Sequence, residues 1–190
     1  MRVLFRSGSG PSFWKGSSTS ERLMVRLLGC LTLGLLALSI PACSGRPNVF
    51  NEPRDVRLMR LAEEREALGS ARSPVDRTRV QIRISDLMIS FMGDAVNDGD
   101  MESVEARMAE YRTAVLDARE TMMASGRDPA GNAAGFRDLE IALRQQIRQL
   151  DDIGARLTVV NREPIERLIV EVTEIRNELL DALFPGPDPA

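Results

Sequence analysis

The sequence predicts an all-α protein over residues 53–184: an up-down antiparallel helical bundle of four long helices plus a shorter N-terminal helix. Apolar residues recur at alternating spacings of three and four in three separate segments, which is typical of helices that pack at shallow angles. Short turns rich in Gly, Pro and capping residues separate these segments, so consecutive helices are expected to run antiparallel. Residues 185–190, "PGPDPA", predict a disordered tail, because three prolines cannot continue a helix.

The first two helices are predicted over residues 53–68 and from Ser73 to about Asp98. Ser73 is a typical N-cap, and Pro74 suits the first turn of a helix. The second helix carries two apolar stripes. One consists of Val80, Ile84, Leu87, Phe91 and Ala95, and the second consists of Val75, Ile82, Ile89 and Val96. We expect the first helix to cover the second stripe; the alternative is that another chain does so.

A tight turn and a long seam define the third helix. Gly99 can adopt the left-handed conformation that ends a helix, and Asp100 can cap the next helix at once. The apolar seam that follows is Met101, Val104, Met108, Tyr111, Val115, Ala118 and Met122. Gly126 ends the predicted helix, and Pro129 prevents its resumption.

The fourth helix is predicted to begin near Asn132 or Ala133 and the fifth near Glu163. The fourth seam is Phe136, Leu139, Leu143, Leu150, Ile153 and Leu157, and the fifth is Ile165, Leu168, Val172, Ile175, Leu179 and Ala182. Gln146 occupies a slot of the fourth seam that would otherwise be apolar. A buried amide can fix helix register, or Gln146 can tip outward while Ile147 packs instead. We expect the second arrangement.

An uncharged run from Leu27 to Ala42 precedes the bundle. Its sixteen residues are too few for a membrane span, which needs about 20, but match the apolar part of a secretory signal. Arg26 supplies the positive charge expected before such a run. We interpret residues 1–42 as a signal region, in which 24–42 form the signal peptide. Residues 1–23 are interpreted as an extension from a misassigned start, since Met24 would begin a compact signal.

The end of this run, Ile40-Pro41-Ala42-Cys43, resembles the lipobox of a bacterial lipoprotein signal. In that family a branched aliphatic residue lies three positions before the cysteine and a small residue one position before it, as Ile40 and Ala42 do. Pro41 departs from the usual small residue. The resemblance implies a diacylglyceryl group on the Cys43 thiol, cleavage before Cys43, and acylation of the new amine by a chain such as palmitate. The alternatives are simple cleavage after Ala42 and an uncut anchor.

Residues 43–52 are then a lipidated tether, and 53–184 resemble no named family. Residues 43–190 contain 20 basic side chains, all of them arginine, and 27 acidic ones, a net charge of −7. An acidic balance argues against nucleic acid as a partner, because phosphate binding requires a basic face. The chain has no histidine, and its other cysteine, Cys30, leaves with the signal. This composition excludes Ser-His-Asp catalysis and makes a zinc site improbable.

Two groups of side chains resemble metal ligands without a matching spacing. Thioethers can bind Cu(I), but Met101, Met108 and Met122 lie in the seam of the third helix, where Met fills core space. The carboxylates around "DAVNDGD" lack the spacing of a calcium-binding loop, and Asp100 is accounted for as a cap. The predicted protein therefore has no catalytic residue, no metal and no cofactor; Cys43, the lipidation site, is its single assigned site.

The sequence therefore predicts a non-enzymatic envelope lipoprotein that presents a helical bundle for protein–protein interaction or in a structural role. The alternative is a small-molecule or lipid carrier with a cavity between its helices. An enzyme would need a carboxylate pair in a cleft, and the acids fall mostly on polar faces. The loop 126–135 could carry binding or serve only as a stop and a cap. Ser44 follows the cysteine, where the best-known lipoproteins carry Asp for inner-membrane retention. We therefore expect an outer-membrane, periplasm-facing monomer that binds the membrane through its lipid and an unidentified envelope protein.

Overall fold

The computed structural model describes residues 52–186, and within them it contains five α-helices and no strand, which confirms the predicted fold class. The helices are α1 Arg54–Ser70, α2 Pro74–Asp98, α3 Met101–Met123, α4 Phe136–Gly154 and α5 Val159–Leu183. No helix in this described part is both long and apolar enough to span a bilayer. The predictions for residues 1–51 and 187–190, Cys43 among them, lie outside the described residues.

The helix α2 lies at the centre of the fold and packs against α1, α3 and α4. The bundle is completed by α5, which packs closely on α4 and more loosely on α3. Helix α1 lies outside the four-helix unit. It runs antiparallel to α2, because Arg54 near its start pairs with Asp98 at the end of α2, with 3.4 Å between Nη1 and Oδ2. The predicted shorter N-terminal helix is therefore an added layer on one side of an up-down bundle.

The two ends of the bundle differ. At the proximal end α1 begins, and the turns after Asp98 and after Gly154 lie there. At the distal end the turn before α2 and the long loop before α4 meet. An ideal Cβ on Gly135, just before α4, would lie 3.3 Å from the Val75 side chain and 2.6 Å from Met122 Sδ. The starts of α2 and α4 and the end of α3 are thus in contact at the distal end.

The predicted caps are confirmed. The Ser73 hydroxyl accepts a hydrogen bond from the Asp76 backbone N–H at 3.0 Å. Gly99 has a left-handed φ of 72°, and the Asp100 carboxylate accepts from the Ser103 N–H at 3.0 Å. The hydrogen bonds from Ser103 lower the pKa of Asp100. These local contacts satisfy backbone donors that a helix start leaves without partners.

Several helix boundaries differ from the prediction. Helix α4 ends at Gly154, so Leu157 of the predicted fourth seam lies beyond it. Helix α4 begins at Phe136 rather than near Asn132, because the Asp128 carboxylate accepts from the backbone of the following residues and holds a turn there. Helix α5 begins at Val159 rather than Glu163 and contains Pro164. A proline near a helix start removes a single hydrogen bond, and the carbonyl left without it belongs to Val160, whose side chain is exposed. Helix α1 continues to residue 70, two residues beyond its predicted end.

The second stripe of α2 is covered by α4, so the expectation that the first helix covers it is wrong. Ile82 and Ile89 on this stripe are fully buried, and Gln146 of α4 hydrogen-bonds to Ser85 on the same side. Helix α1 instead contacts α2 at Ser90, through Arg57. Around the axis of α2, Ser90 lies about 100° from Ile89 of the second stripe. The α2 residues that Arg57 of α1 contacts there, Ser90 and Asp94, are polar. The spacing of apolar residues in the sequence therefore did not indicate this contact.

Candidate functional site

The acidic groups noted in the sequence each have a separate role. Asp94 pairs with Arg57, with 2.6 Å between oxygen and nitrogen, Asp98 pairs with Arg54, and Asp100 caps α3. Among residues 52–186 no group of three Cys, His, Asp or Glu side chains is placed to hold a metal ion. Met122 is fully buried, and Met101 and Met108 pack against the core, as the seam predicts.

A buried polar network joins α2, α3 and α4 around Gln146, which is completely buried. This corrects the expectation that Gln146 points outward. Its amide nitrogen donates to Ser85 Oγ at 2.7 Å and to Asp86 Oδ1 at 2.7 Å, and its oxygen accepts from the Tyr111 hydroxyl at 3.2 Å. Ile147, one residue along, is only partly buried.

This network ties three helices together through buried hydrogen bonds. Burial, followed by the charge of Asp86, raises the pKa of Tyr111 well above its usual value, so this phenol stays protonated. The Tyr111, Gln146 and Ser85 side chains are at most 2% exposed, whereas Asp86 is partly exposed. Because an amide in an apolar seam has partners in one alignment only, the network selects that alignment of α2, α3 and α4.

A buried arginine attaches α1 to the bundle. Arg57 is 5% exposed and donates to the Ser90 hydroxyl and, at 2.6 Å, to Asp94. Its guanidinium carbon lies 5.3 Å from the centroid of the Phe91 ring, and that of Arg107 lies 5.8 Å from the same ring. Ion pairing and cation–π contact together hold a helix whose only fully buried apolar side chain is that of Leu61.

Three large apolar side chains are exposed near the start of α1, among charged side chains. Val56, Leu58 and Met59 are 40%, 50% and 67% exposed. All three lie within the first two turns of this 17-residue helix, and exposed apolar groups that lie close together can serve for contact with another protein. We call these three residues the α1 surface; it is a candidate for protein interaction.

A second surface feature, which we call the distal groove, lies between the loop 124–135, α4 and the end of α5. Its volume is about 640 Å³. Its apolar lining consists of Pro129, Ala130, Ala133, Ile141, Leu180, Leu183 and Phe184, and its charged lining of Arg137, Glu140 and Arg144. Phe184 is 74% exposed. The loop supplies apolar residues to this groove, whereas its polar residues bond within the loop: Arg127 donates to Asn132.

The charged part of the groove is organised by Glu140, whose side chain is 5% exposed. It accepts from Arg144 at 3.2 and 2.5 Å and from Arg176 at 3.0 Å. Burial raises the pKa of Glu140, but the hydrogen bonds from the two arginines outweigh burial and hold this pKa below its usual value. The side chain of Arg137, one turn before Glu140, has no hydrogen bond or ion pair to any described residue. We call Glu140, Arg137, Arg144 and Arg176 the Glu140 cluster. With three arginines and one glutamate, it has a net charge of +2.

Sequence reasoning missed Arg57 and the Glu140 cluster. The spacing of four between Glu140 and Arg144 indicates an ion pair along a helix, but not its burial. The third partner, Arg176, lies 36 residues further along the chain. No protein-family model, curated protein or solved structure matches this chain.

Proposed function

We propose that this chain is a non-enzymatic lipoprotein of the bacterial envelope, anchored through Cys43, which presents its helical bundle to an envelope protein. The observation that carries the proposal is the order of parts along the chain. An apolar run ends in Ile40-Pro41-Ala42-Cys43, a tether of nine residues follows, and a helical bundle begins immediately after it. Ser44 in place of Asp favours the outer membrane, with the bundle in the periplasm.

The end at which the chain enters the bundle suits such an anchor. The chain enters at the proximal end, where Arg54 contacts Asp98. Nine tether residues span at most about 30 Å, and the 25 residues of α2 extend about 37 Å. A tether attached at the proximal end therefore leaves the distal groove at the end farthest from the attachment point. The α1 surface lies in the first two turns of α1, on the side of the bundle near its proximal end.

The buried polar groups favour a presenting role over catalysis. Glu140 is saturated by two arginines, and within the Gln146 network Ser85, Tyr111 and Gln146 are buried. The Asp86 carboxylate of this network is partly exposed but accepts a hydrogen bond from Gln146, so neither group offers the unengaged acid or base that a general acid–base mechanism requires. The inward seam residues are also tightly packed: Leu143 and Leu179 are 0% exposed and Val172 is 1% exposed. This packing favours a filled core over a carrier cavity between the helices.

The anchor is tested by mass spectrometry of the protein isolated from its own bacterium. We expect a mature chain that begins at Cys43 and carries two or three acyl chains, which together anchor firmly. Cys43→Ser should give an unprocessed or lipid-free product. An unmodified thiol at Cys43 in the mature protein would falsify the anchor.

The presenting role is tested by photocrosslinking in cells. A photoreactive residue replaces Met59 on the α1 surface, and a matched control replaces Val170, which is similarly exposed on α5. We expect one discrete adduct, with a single envelope protein, from position 59 and none from position 170. Equal adducts from the two positions, or none from position 59, would refute α1 as the presenting surface. Neither outcome depends on the distal groove.

A further inference from the structure

The distal groove has the dimensions and the lining of a ligand site. Its volume of about 640 Å³ lies within the range of small-molecule pockets, about 300–1,000 Å³. Seven of its ten lining residues are apolar, and the other three are charged. Such sites combine an apolar lining with a few polar groups that orient the ligand. The Phe184 ring and the Ile141 side chain, 74% and 38% exposed, are the apolar groups left uncovered.

The charges at the groove select an anion. The negative charge of Glu140 is already neutralised by Arg144 and Arg176. Arg144 uses its Nε and one terminal nitrogen on Glu140, which leaves its second terminal nitrogen available, and its side chain is 52% exposed. Arg137 has no partner among the described residues. The described part of the chain has 19 arginines and 26 acidic residues, so this positive site lies on an acidic domain.

The groove offers arginines that can bind a carboxylate and apolar side chains that can cover an acyl chain. Two guanidinium groups lie on one helix at positions 137 and 144, seven residues apart and therefore on the same face. Arg137 can present paired N–H donors to a carboxylate, and Arg144 can add the N–H groups of its second terminal nitrogen. Leu180 and Leu183 on α5, with Phe184 directly after this helix, form the opposite, apolar wall.

We propose that the distal groove binds a free fatty acid, with the carboxylate held by Arg137 and Arg144 and the acyl chain laid over Ile141, Leu183 and Phe184. This inference goes beyond the presenting role and does not depend on lipidation of Cys43. The ligand is an anionic single-chain amphiphile, because the site has an excess of positive charge at one side and uncovered apolar groups at the other.

The test is a titration of the purified protein with dodecanoate, followed by the methyl NMR signals of isoleucine and leucine. We expect the signals of Ile141 and Leu183 to shift saturably, while that of Ile89 in the core stays in place. Dodecyltrimethylammonium, which has the same chain and a cationic head, should leave the groove signals unchanged. Absence of shifts with dodecanoate, or equal shifts with the cationic amphiphile, would overturn the proposal.

A pair of charge reversals tests the role of Arg137. Arg137→Glu should weaken dodecanoate binding by about tenfold or more, because an attractive charge becomes repulsive. Arg148→Glu is the matched control: Arg148 lies on the same face of α4, its side chain also lacks a partner among the described residues, and it lies outside the groove lining, about 16 Å along the axis from Arg137 and about 6 Å from Arg144. It should weaken binding clearly less than Arg137→Glu does, because its charge is farther from the groove and solvent and salt screen it. Equal affinities of the two variants would contradict carboxylate recognition, and their melting temperatures verify that both are folded.

Discussion

Replacing Gln146 by leucine tests whether the buried network determines the stability of the bundle. Leucine has a similar size and suits an apolar seam, so the substitution removes the amide without opening a large cavity. Three hydrogen bonds are lost, those to Ser85 Oγ, Asp86 Oδ1 and the Tyr111 hydroxyl. Ser85 keeps its bond to the Ile82 carbonyl at 2.8 Å. The hydroxyl of Tyr111 keeps none within the described part of the chain.

The expected loss in free energy of unfolding follows from these contacts. The two neutral hydrogen bonds contribute about 0.5–1.5 kcal/mol each, and the bond to the Asp86 carboxylate about 1.5–3 kcal/mol. Burial of the leucine side chain returns about 1.5–3 kcal/mol. We therefore expect Gln146→Leu to destabilise the protein by about 2 kcal/mol, a large fraction of the 5–15 kcal/mol typical of a domain (about 0.1 kcal/mol per residue).

Urea unfolding followed by far-UV circular dichroism measures this loss. With a slope of about 2 kcal/mol per molar urea, the midpoint should fall by about 1 M. The control Gln145→Leu, at an exposed neighbouring position on α4, should change the stability by less than about 0.5 kcal/mol.

A double-mutant cycle isolates the contact with the tyrosine. Tyr111→Phe should cost about 1 kcal/mol in the wild type and clearly less beside Gln146→Leu, because its partner is then absent. An unchanged midpoint in Gln146→Leu, or equal costs of Tyr111→Phe in the two backgrounds, would refute the reasoning.

Three further predictions concern stability. Because the pKa of Glu140 is lower in the folded than in the unfolded protein, its contribution is present above the usual pKa of about 4.3 and is lost as the pH falls through the folded value. Glu140→Gln should therefore lower the melting temperature at neutral pH, and the difference from wild type should shrink in acid; a constant difference would contradict this. Gly135→Ala should destabilise by more than about 1 kcal/mol in urea unfolding, because φ is 86° and the new Cβ would meet Met122, whereas Gly69→Ala, with open space around it, should be neutral or stabilising; equal effects would refute the argument. Arg57→Ala should speed hydrogen exchange in α1 far more than in the other helices, and uniform exchange would show that α1 does not depend on this arginine.

Much of the fold was predictable because its signals act within one or two helical turns. Ser73, Gly99 and Asp100 each contact backbone groups within five residues of themselves, so their roles follow from the local sequence. The α3 seam is buried at Val104, Tyr111 and Met122 as its spacing predicts. The start of α5 was placed four residues too late; the helix begins at Val159 and tolerates Pro164 close to its start.

The candidate sites were less predictable, because their members are distant in sequence. Arg57 contacts residues 33 and 37 positions away, and Glu140 receives one of its two arginines from α5. The distal groove combines a loop, α4 and the end of α5. Nothing in the local pattern of any one segment distinguishes these side chains from solvated charges or from ordinary seam residues.

The sequence by itself determined an all-helical chain, the positions of most turns, and the seams that form the core, because periodicity and capping depend on neighbouring residues. Only the tertiary structure decided which helix covers which face. Helix α4 took the second stripe of α2, and α1 took a polar face through Arg57. Gln146 and Ile147 are about 100° apart on α4, so either could have faced inward. The hydrogen-bond partners supplied by α2 and α3 placed Gln146 in the core, and those partners exist only once the helices have packed.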